Sequence, residues 1–389
     1  MALIASTSNI NLNQSSILPS SHTKSLSTIP CIKPKLPNPK YNILTRKNVL
    51  INKYAHFSNP HDKKRCQTTM YSTPMGDATI TTPESSDSSS NRIWWSNVVV
   101  KRPNNLFKDR KWNALDIGTL SMVIMMHGLA MFAPFAFNWG AFWVAVSLYL
   151  VTGLLGICLS FHRQLSHNSF KLPKWLEYLF AYFGVLALQG NPIDWVSTHR
   201  YHHQFCDSDK DPHSPFEGFW FSHMNWLFDT KAIVRKCGEP KNVGDLERQP
   251  FYRFIRSTYI LHPLALGLIL YALGGFPYIV WGMGVRTVWV YHITWLVNSA
   301  CHVWGNQAWN TRDLSTNNWW VALVSFGEGW HNNHHAFEYS ARHGLEWWEV
   351  DMTWYTIRLF QALGLAKDVK LPTEAHKQRM TFKSQGIED

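Results

Sequence analysis

The sequence predicts an all-α membrane protein: four transmembrane helices in two hairpins, with a helical cap domain held on one side of the bilayer. Three observations carry this. Two long apolar blocks, about 115–161 and 258–304, are nearly free of charge, and turn residues break each one near its middle. The segments between and after the blocks are polar and aromatic. Three histidine clusters all fall in or beside those segments.

The first block carries a single charge, Asp116 at its edge, and breaks at Pro134 to Gly140 around Asn138 and Trp139. A hydrocarbon core of about 30 Å needs about 20 helical residues, so the block holds two spans and a tight turn. The second block breaks at Gly274-Gly275-Phe276-Pro277, a helix-stopping sequence. Arg286 lies in its second half; a charge at that depth is costly and is expected to face protein or water. Two hairpins return the chain to its starting side, so the N-terminal region, residues 161–257 and the tail after 304 share one face. Within 161–257, Trp175 to Leu188 is apolar but too short to span, and is expected to lie in the interface.

Among 389 residues there are 20 Trp and 22 Phe, rings that suit large cores and membrane boundaries. The formal charge of +11 is concentrated in residues 1–75, which hold ten Lys or Arg and the single acid Asp62. The remainder is nearly neutral, so no phosphate-binding face and no nucleic-acid partner is implied. Six cysteines (Cys31, Cys66, Cys158, Cys206, Cys237, Cys301) form no CxxC pair, which argues against a disulfide scaffold and for a reducing compartment. The acid-poor, Ser-rich stretch over residues 1–70 has the composition of a plastid transit peptide, cleaved between about 60 and 75; a disordered cytosolic tail of the same composition is the alternative. Residues 71–110 follow as linker and interfacial segment, with 76–93 the flexible part. The main domain spans 111–370, and 371–389 is a C-terminal tail.

The chain has 19 histidines. The clusters read His162-Arg163-Gln164-Leu165-Ser166-His167, His199-Arg200-Tyr201-His202-His203 and His331-Asn332-Asn333-His334-His335. On a helix, residues three and four apart share a face, so His199, His202 and His203 converge, as do His331, His334 and His335. His162 and His167 diverge by about 140° on a regular helix and share a centre only where the helix ends or loosens. Neutral imidazole suits borderline transition metals such as iron, and eight histidines exceed what one tetrahedral zinc uses. Two metals of higher coordination number fit the count. His22, His56 and His61 lie in the targeting segment. His127, His213, His223, His262, His292, His343 and His376 have no clustered partner and read as ordinary packing or surface residues.

These boxes, with Asp211-Pro212-His213-Ser214-Pro215, Gly218-Phe219-Trp220-Phe221-Ser222-His223 and Gly327-Glu328-Gly329-Trp330 around them, resemble the membrane fatty-acid desaturase family over about residues 100–370, in its acyl-CoA-desaturase-like branch. With the N-terminus it is similar to the plastid members. The resemblance implies a cap-borne centre of two Fe2+ ions held by histidine. It also promotes His302, and Asn298 through water, from the stretch Asn298-Ser299-Ala300-Cys301-His302. The implied ligand set is then His162, His167, His199, His202, His203, Asn298, His302, His331, His334 and His335. The first box departs from the branch, whose plant members commonly have Asn and Ala inside it and Arg after it. There is no His-Pro-Gly-Gly haem motif, so the electron donor is a separate protein: ferredoxin in a plastid, cytochrome b5 in the endoplasmic reticulum.

The implied reaction introduces a cis double bond into a saturated acyl chain with O2, and unactivated C–H bonds need a metal-based oxidant. The substrate implied by the plastid members is an acyl chain of a glycerolipid in the chloroplast membrane, of the palmitoyl-galactolipid delta-7 type; an acyl-CoA delta-9 enzyme of the endoplasmic reticulum is the alternative. A hydroxylase or acetylenase on the same di-iron scaffold also fits the residues. A metal transporter would place its ligands inside the membrane path, whereas these boxes sit at span ends. Trp195, Trp295 and Trp330 are candidates to line an acyl tunnel. Asp194, Asp207, Asp211, Glu328 and Glu338 are candidates to orient the ligating histidines.

Overall fold

A computed structural model describes residues 91–382, apart from Asp109. The transit-peptide and most of the linker reading lie outside these residues. Among the described residues the fold is helical, with isolated bridges such as Asn306 to Asn317 in place of strands.

Helix α1 (Ala114–Ala130) starts where Asn113 caps it and Asp116 answers in a capping box. Asp116 is buried and pairs with Arg110 at 3.1 Å, which is how the one charge of the first block is satisfied. A turn leads to Asn138, whose side chain accepts from Ala141 N and caps α2 (Trp139–Ser166). From Leu150 to Ser166 this helix is π-wound, with 17 residues in the wider i→i+5 pattern. The loosening expected between His162 and His167 is therefore present and extends well upstream of them.

Shorter helices follow, among them α3 (Lys174–Val185), α4 (Pro192–Phe205), α5 (Phe219–His223), α6 (Thr230–Cys237) and α7 (Pro250–Thr258). α3, the apolar stretch expected at the interface, presses one face on α2 while Trp175 and Leu179 remain exposed. The contact is as close as two backbones allow: a Cβ on Gly156 would lie 2.5 Å from Gly184 N.

The second apolar block forms α8 (Leu261–His302), a 42-residue helical run. It breaks at Gly275, where φ 64° and ψ −152° leave the helical region. The limbs fold back on each other, since an added Cβ on Gly282 would meet Leu270 Cδ1 at 2.8 Å. An added Cβ on Gly284 would meet Ala130 N at 2.9 Å, and one on Gly140 would meet Tyr278 Oη at 2.7 Å. The turns of both hairpins thus lie at one end of the four limbs. Arg286 is 1% exposed and points inward, donating to Leu186 O (2.8 Å) and Gly282 O (2.9 Å).

The chain then makes α9 (Trp319–Val324), α10 (His331–Ala336), α11 (Met352–Ala362) and, within the tail, α12 (Glu374–Met380). α2 and α8 are long and apolar enough to cross a membrane; α1 is apolar and shorter.

Candidate metal centre

Four elements deliver histidine to one place. α2 ends on His162 and His167; its last π turn, His167 N to His162 O at 3.3 Å, brings the two rings to 5.0 Å. α4 starts on Pro192 under an Asn191 cap and carries His199, His202 and His203 on its inner face. α8 closes in a 3-10 turn over Ala300–His302 that carries His302. α10 is little more than the turn carrying His331, His334 and His335.

The rings form two groups. The ligand atoms of His162, His167, His199, His203 and His334 all lie within 4.8 Å of one another. His202, His302 and His335 form the second group with the thiol of Cys206, under the same limit. His331 joins it, with Nε2 3.0 Å from His302 Nε2 and its ring 4.4 Å from that of His335. The groups meet at His203 and His335, whose rings are 4.5 Å apart. Asn298 lines the pocket beside His199, His202 and His331. All nine histidines expected from the sequence are thus gathered, with Asn298 at their edge.

Carboxylates stand behind the rings. His202 Nδ1 hydrogen-bonds Asp211 at 3.0 Å and His335 Nδ1 hydrogen-bonds Asp313 at 2.9 Å. His162 Nδ1 stands 2.6 Å from Glu328 and His302 Nδ1 3.4 Å from Asp207. A proton held on Nδ1 leaves a bare lone pair on Nε2. Yet Nε2 atoms face each other: His162 to His334 at 3.0 Å, His203 to His334 at 3.0 Å and His167 to His199 at 2.8 Å. Where both rings of a pair carry their proton on Nδ1, lone pairs so placed repel unless a cation lies between them. Two nitrogens bound at right angles, each about 2.1 Å from a metal, sit about 3.0 Å apart. His335 Nε2 is buried with no hydrogen-bond partner, as a ligand awaiting its cation would be. The residues fit a histidine-held metal centre.

For four of the rings the electrostatics agree. Burial, reinforced by neighbouring imidazoles, pushes His199, His203, His331 and His334 well below the ordinary histidine range, so they are neutral and able to ligate. Burial alone would raise Asp211, but His202 together with the His213 ring and backbone amide outweighs that and holds the carboxyl below its usual range. Glu328 is likewise held well down against its burial, chiefly by Arg163 and then by His162 and His343.

Two of the expected carboxylate partners do other work. Asp194 pairs with Arg256 at 3.1 Å, and Glu338 is 53% exposed and 3.9 Å from His203. Four further residues stand at the centre without a signal of that role in the sequence. Asp313 has no sequence signal. His343 has no clustered partner in the sequence, but its ring stacks 4.4 Å from that of His334 and its Nδ1 is 3.1 Å from Glu328. Arg163, inside the first box, is fully buried and bridges Glu328 and Asp351. His213, also without a clustered partner, stacks 4.3 Å from His202. Beside the centre runs an apolar pocket walled by Gly153, Ile157, Trp195, Ile293 and Val297. Trp195 lies on His199 at 5.1 Å, and Trp330 is tied to Val350 O at 2.9 Å.

A polyhistidine centre at the ends of long apolar helices, opening on an apolar pocket, is the site of an oxidoreductase that acts on hydrocarbon chains. The sequence model of the fatty acid desaturase family matches residues 137–366, and the chain belongs to that family. It is 73% identical over 294 residues to the chloroplastic palmitoyl-monogalactosyldiacylglycerol delta-7 desaturase of Arabidopsis thaliana, covering 75% of this chain and 79% of that one. A probable chloroplastic lipid desaturase of the same plant is 52% identical over 341 residues, 87% of this chain and 92% of the other. An acyl-CoA 5-desaturase of Anemone leveillei is 60% identical over 275 residues, 71% and 86% of the two chains. The chain is therefore a desaturase enzyme.

Proposed function

We propose that this protein is a di-iron, O2-dependent desaturase that introduces a cis double bond into a saturated acyl chain of a plastid glycerolipid, of the palmitoyl-galactolipid delta-7 type. The observation that carries the metal reading is the set of facing Nε2 atoms at 2.8–3.0 Å in a cluster where Nδ1 of His162, His202, His302 and His335 is backed by a carboxylate. The 73% identity to a chloroplastic galactolipid desaturase supports the lipid assignment, as does the transit-like N-terminus.

His162, His167, His199, His203 and His334 would hold one iron, and His202, His302, His331 and His335 the other, with Asn298 reaching it through water. The iron pair would supply the oxidant that unactivated methylene C–H bonds require. This chain's residues do the rest. The carboxylates fix which ring nitrogen faces the metals. The apolar pocket holds the acyl chain and keeps bulk water from the reacting carbons, and position along it decides which carbons react. The chain loses two hydrogens, an external donor adds two electrons and solvent two protons, and O2 leaves as two waters. In a plastid the donor is ferredoxin.

The four helical limbs cross the bilayer in two hairpins in this reading. Their outer faces are apolar, with Ile124 61% exposed and Leu268 and Leu273 each 72% exposed, as lipid contact requires. Aromatic Phe132, Phe135, Trp139 and Trp143 project at the turn end, where an interface belt belongs.

The test is fatty-acid profiling by lipid class after expression of the full-length chain in plant leaf, with His199→Ala as the inactive control. A new monoene confined to plastid galactolipid supports the proposal. A monoene spread through extraplastidic phospholipids points to the acyl-CoA reading, and a hydroxylated or acetylenic product overturns the reaction.

A further inference from the structure

The proposed reaction draws electrons from a second protein, and the surface beside the first histidine box has the charge to receive one. Directly after His167 the chain turns through Asn168, at φ 50°, and residues 169–171 pair with residues 367–370. Lys171 N donates to Lys367 O at 2.8 Å, Lys367 N returns the bond at 2.9 Å, and Lys370 N donates to Ser169 O at 2.9 Å. A doubly bonded antiparallel pair sets its two side chains next to each other on one face. Lys171 and Lys367 are therefore neighbours of like charge, an arrangement that costs stability. Among the described residues Asp368 relieves it, pairing with Lys171 at 2.8 Å in a bridge that is 77% and 62% exposed. Lys367 and Lys370 are exposed as well.

Nothing in the packing of the strap calls for three exposed lysines around one acid. The body of the protein is nearly neutral, so the patch is a local feature rather than a share of a general excess. It is also continuous with the metal centre: His167, two residues before Ser169, has Nε2 2.8 Å from His199 Nε2. His162, His199, His202, His302, His331 and His334 are buried, while residue 167 keeps some surface, as residues 203 and 335 do. A carrier seated on the strap would stand against the margin of the centre.

We propose that the strap of Lys171, Lys367 and Lys370 is the docking surface for an acidic protein that carries one electron at a time, which reaches the centre on the His167 side. The proposal rests on the desaturase reading above and names where its donor binds. Complementary charge at such a rim acts mainly on association rate and salt dependence.

The probe is a plant-type [2Fe–2S] ferredoxin, titrated against the full-length chain in nanodiscs of uncharged lipid at several ionic strengths. Lys171→Glu/Lys367→Glu/Lys370→Glu is expected to raise the dissociation constant about tenfold or more and to flatten its salt dependence. Lys231→Glu/Arg235→Glu, which reverses exposed cations on α6, is expected to leave affinity within about twofold. Iron content confirms that each variant is folded; should the triple variant fail to fold, Lys370→Glu alone carries the comparison. Unchanged ferredoxin affinity, or equal losses in the strap and α6 variants, overturns the proposal. So does a strap variant that keeps ferredoxin but loses binding to anionic vesicles, which would make the patch a lipid contact. Binding is read without turnover, so a chain that made no plastid monoene yet bound through the strap would sink the lipid assignment and keep the docking surface.

Discussion

Arg163→Met removes a cation from between two buried carboxylates. The guanidinium is fully buried and donates to Glu328 Oε1 from Nε (3.1 Å) and Nη2 (3.0 Å), to Asp351 from Nη1 (3.0 Å) and Nη2 (2.9 Å), and to Ala341 O (2.8 Å). Methionine fills much of the volume but strands both acids, and removing one partner of a buried pair costs about 3–5 kcal/mol. The damage reaches the metals because Glu328 stands 2.6 Å from His162 Nδ1. Disturbing such a partner lowers metal affinity about 10–100-fold. Arg163→Lys keeps the charge but loses the forked geometry, and should fall between wild type and Met. Denaturant unfolding of the detergent-purified protein, with iron content measured alongside, reads both effects. A stability loss under about 1 kcal/mol, the range of an exposed pair, together with full iron content would refute the reasoning.

Other perturbations separate packing from metal chemistry. Asp211→Asn replaces the charged acceptor of His202 Nδ1 with a neutral amide and should weaken iron binding about 10–100-fold, read by competition with a chelator, while the far-ultraviolet spectrum stays unchanged. Gly156→Ala drives a Cβ to within 2.5 Å of Gly184 N and should cost about 1–3 kcal/mol in denaturant melts; Gly118→Ala, with nothing within 4 Å of its added Cβ, should cost nothing. His199, His203, His331 and His334 sit well below 6.5 when folded, so the unfolded chain binds more protons below that pH. Their contribution is intact above about pH 6.5 and shrinks as pH falls, so iron should leave and stability drop between about pH 6.5 and 5 on an acid titration.

Much of this was legible because local chemistry and spacing carry it. The i, i+3, i+4 boxes of α4 and α10 present one face each, and Asn138 starts α2 and Gly275 breaks α8 where turn residues predicted. The five-residue gap between His162 and His167 demanded a loosened helix, and the π winding of α2 supplies it. His302 and Asn298 carry no spacing signal of their own and came only through family resemblance. What stayed hidden depends on contacts between distant segments. Arg163 finds Glu328 and Asp351 across 165 and 188 residues, and Asp313 reaches His335 from a loop with no motif. His343 looked solitary because its neighbours, His334 and Glu328, are brought to it by the fold of the third-box segment and not by periodicity.

The central claim is that nine histidines hold two irons. Metal analysis of the purified full-length chain tests it most directly, run beside His334→Ala, whose Nε2 lies 3.0 Å from both His162 and His203. The account predicts two irons per wild-type chain and a clear loss of iron in the variant. A single tightly bound zinc, or iron content that His334→Ala leaves untouched, would contradict it.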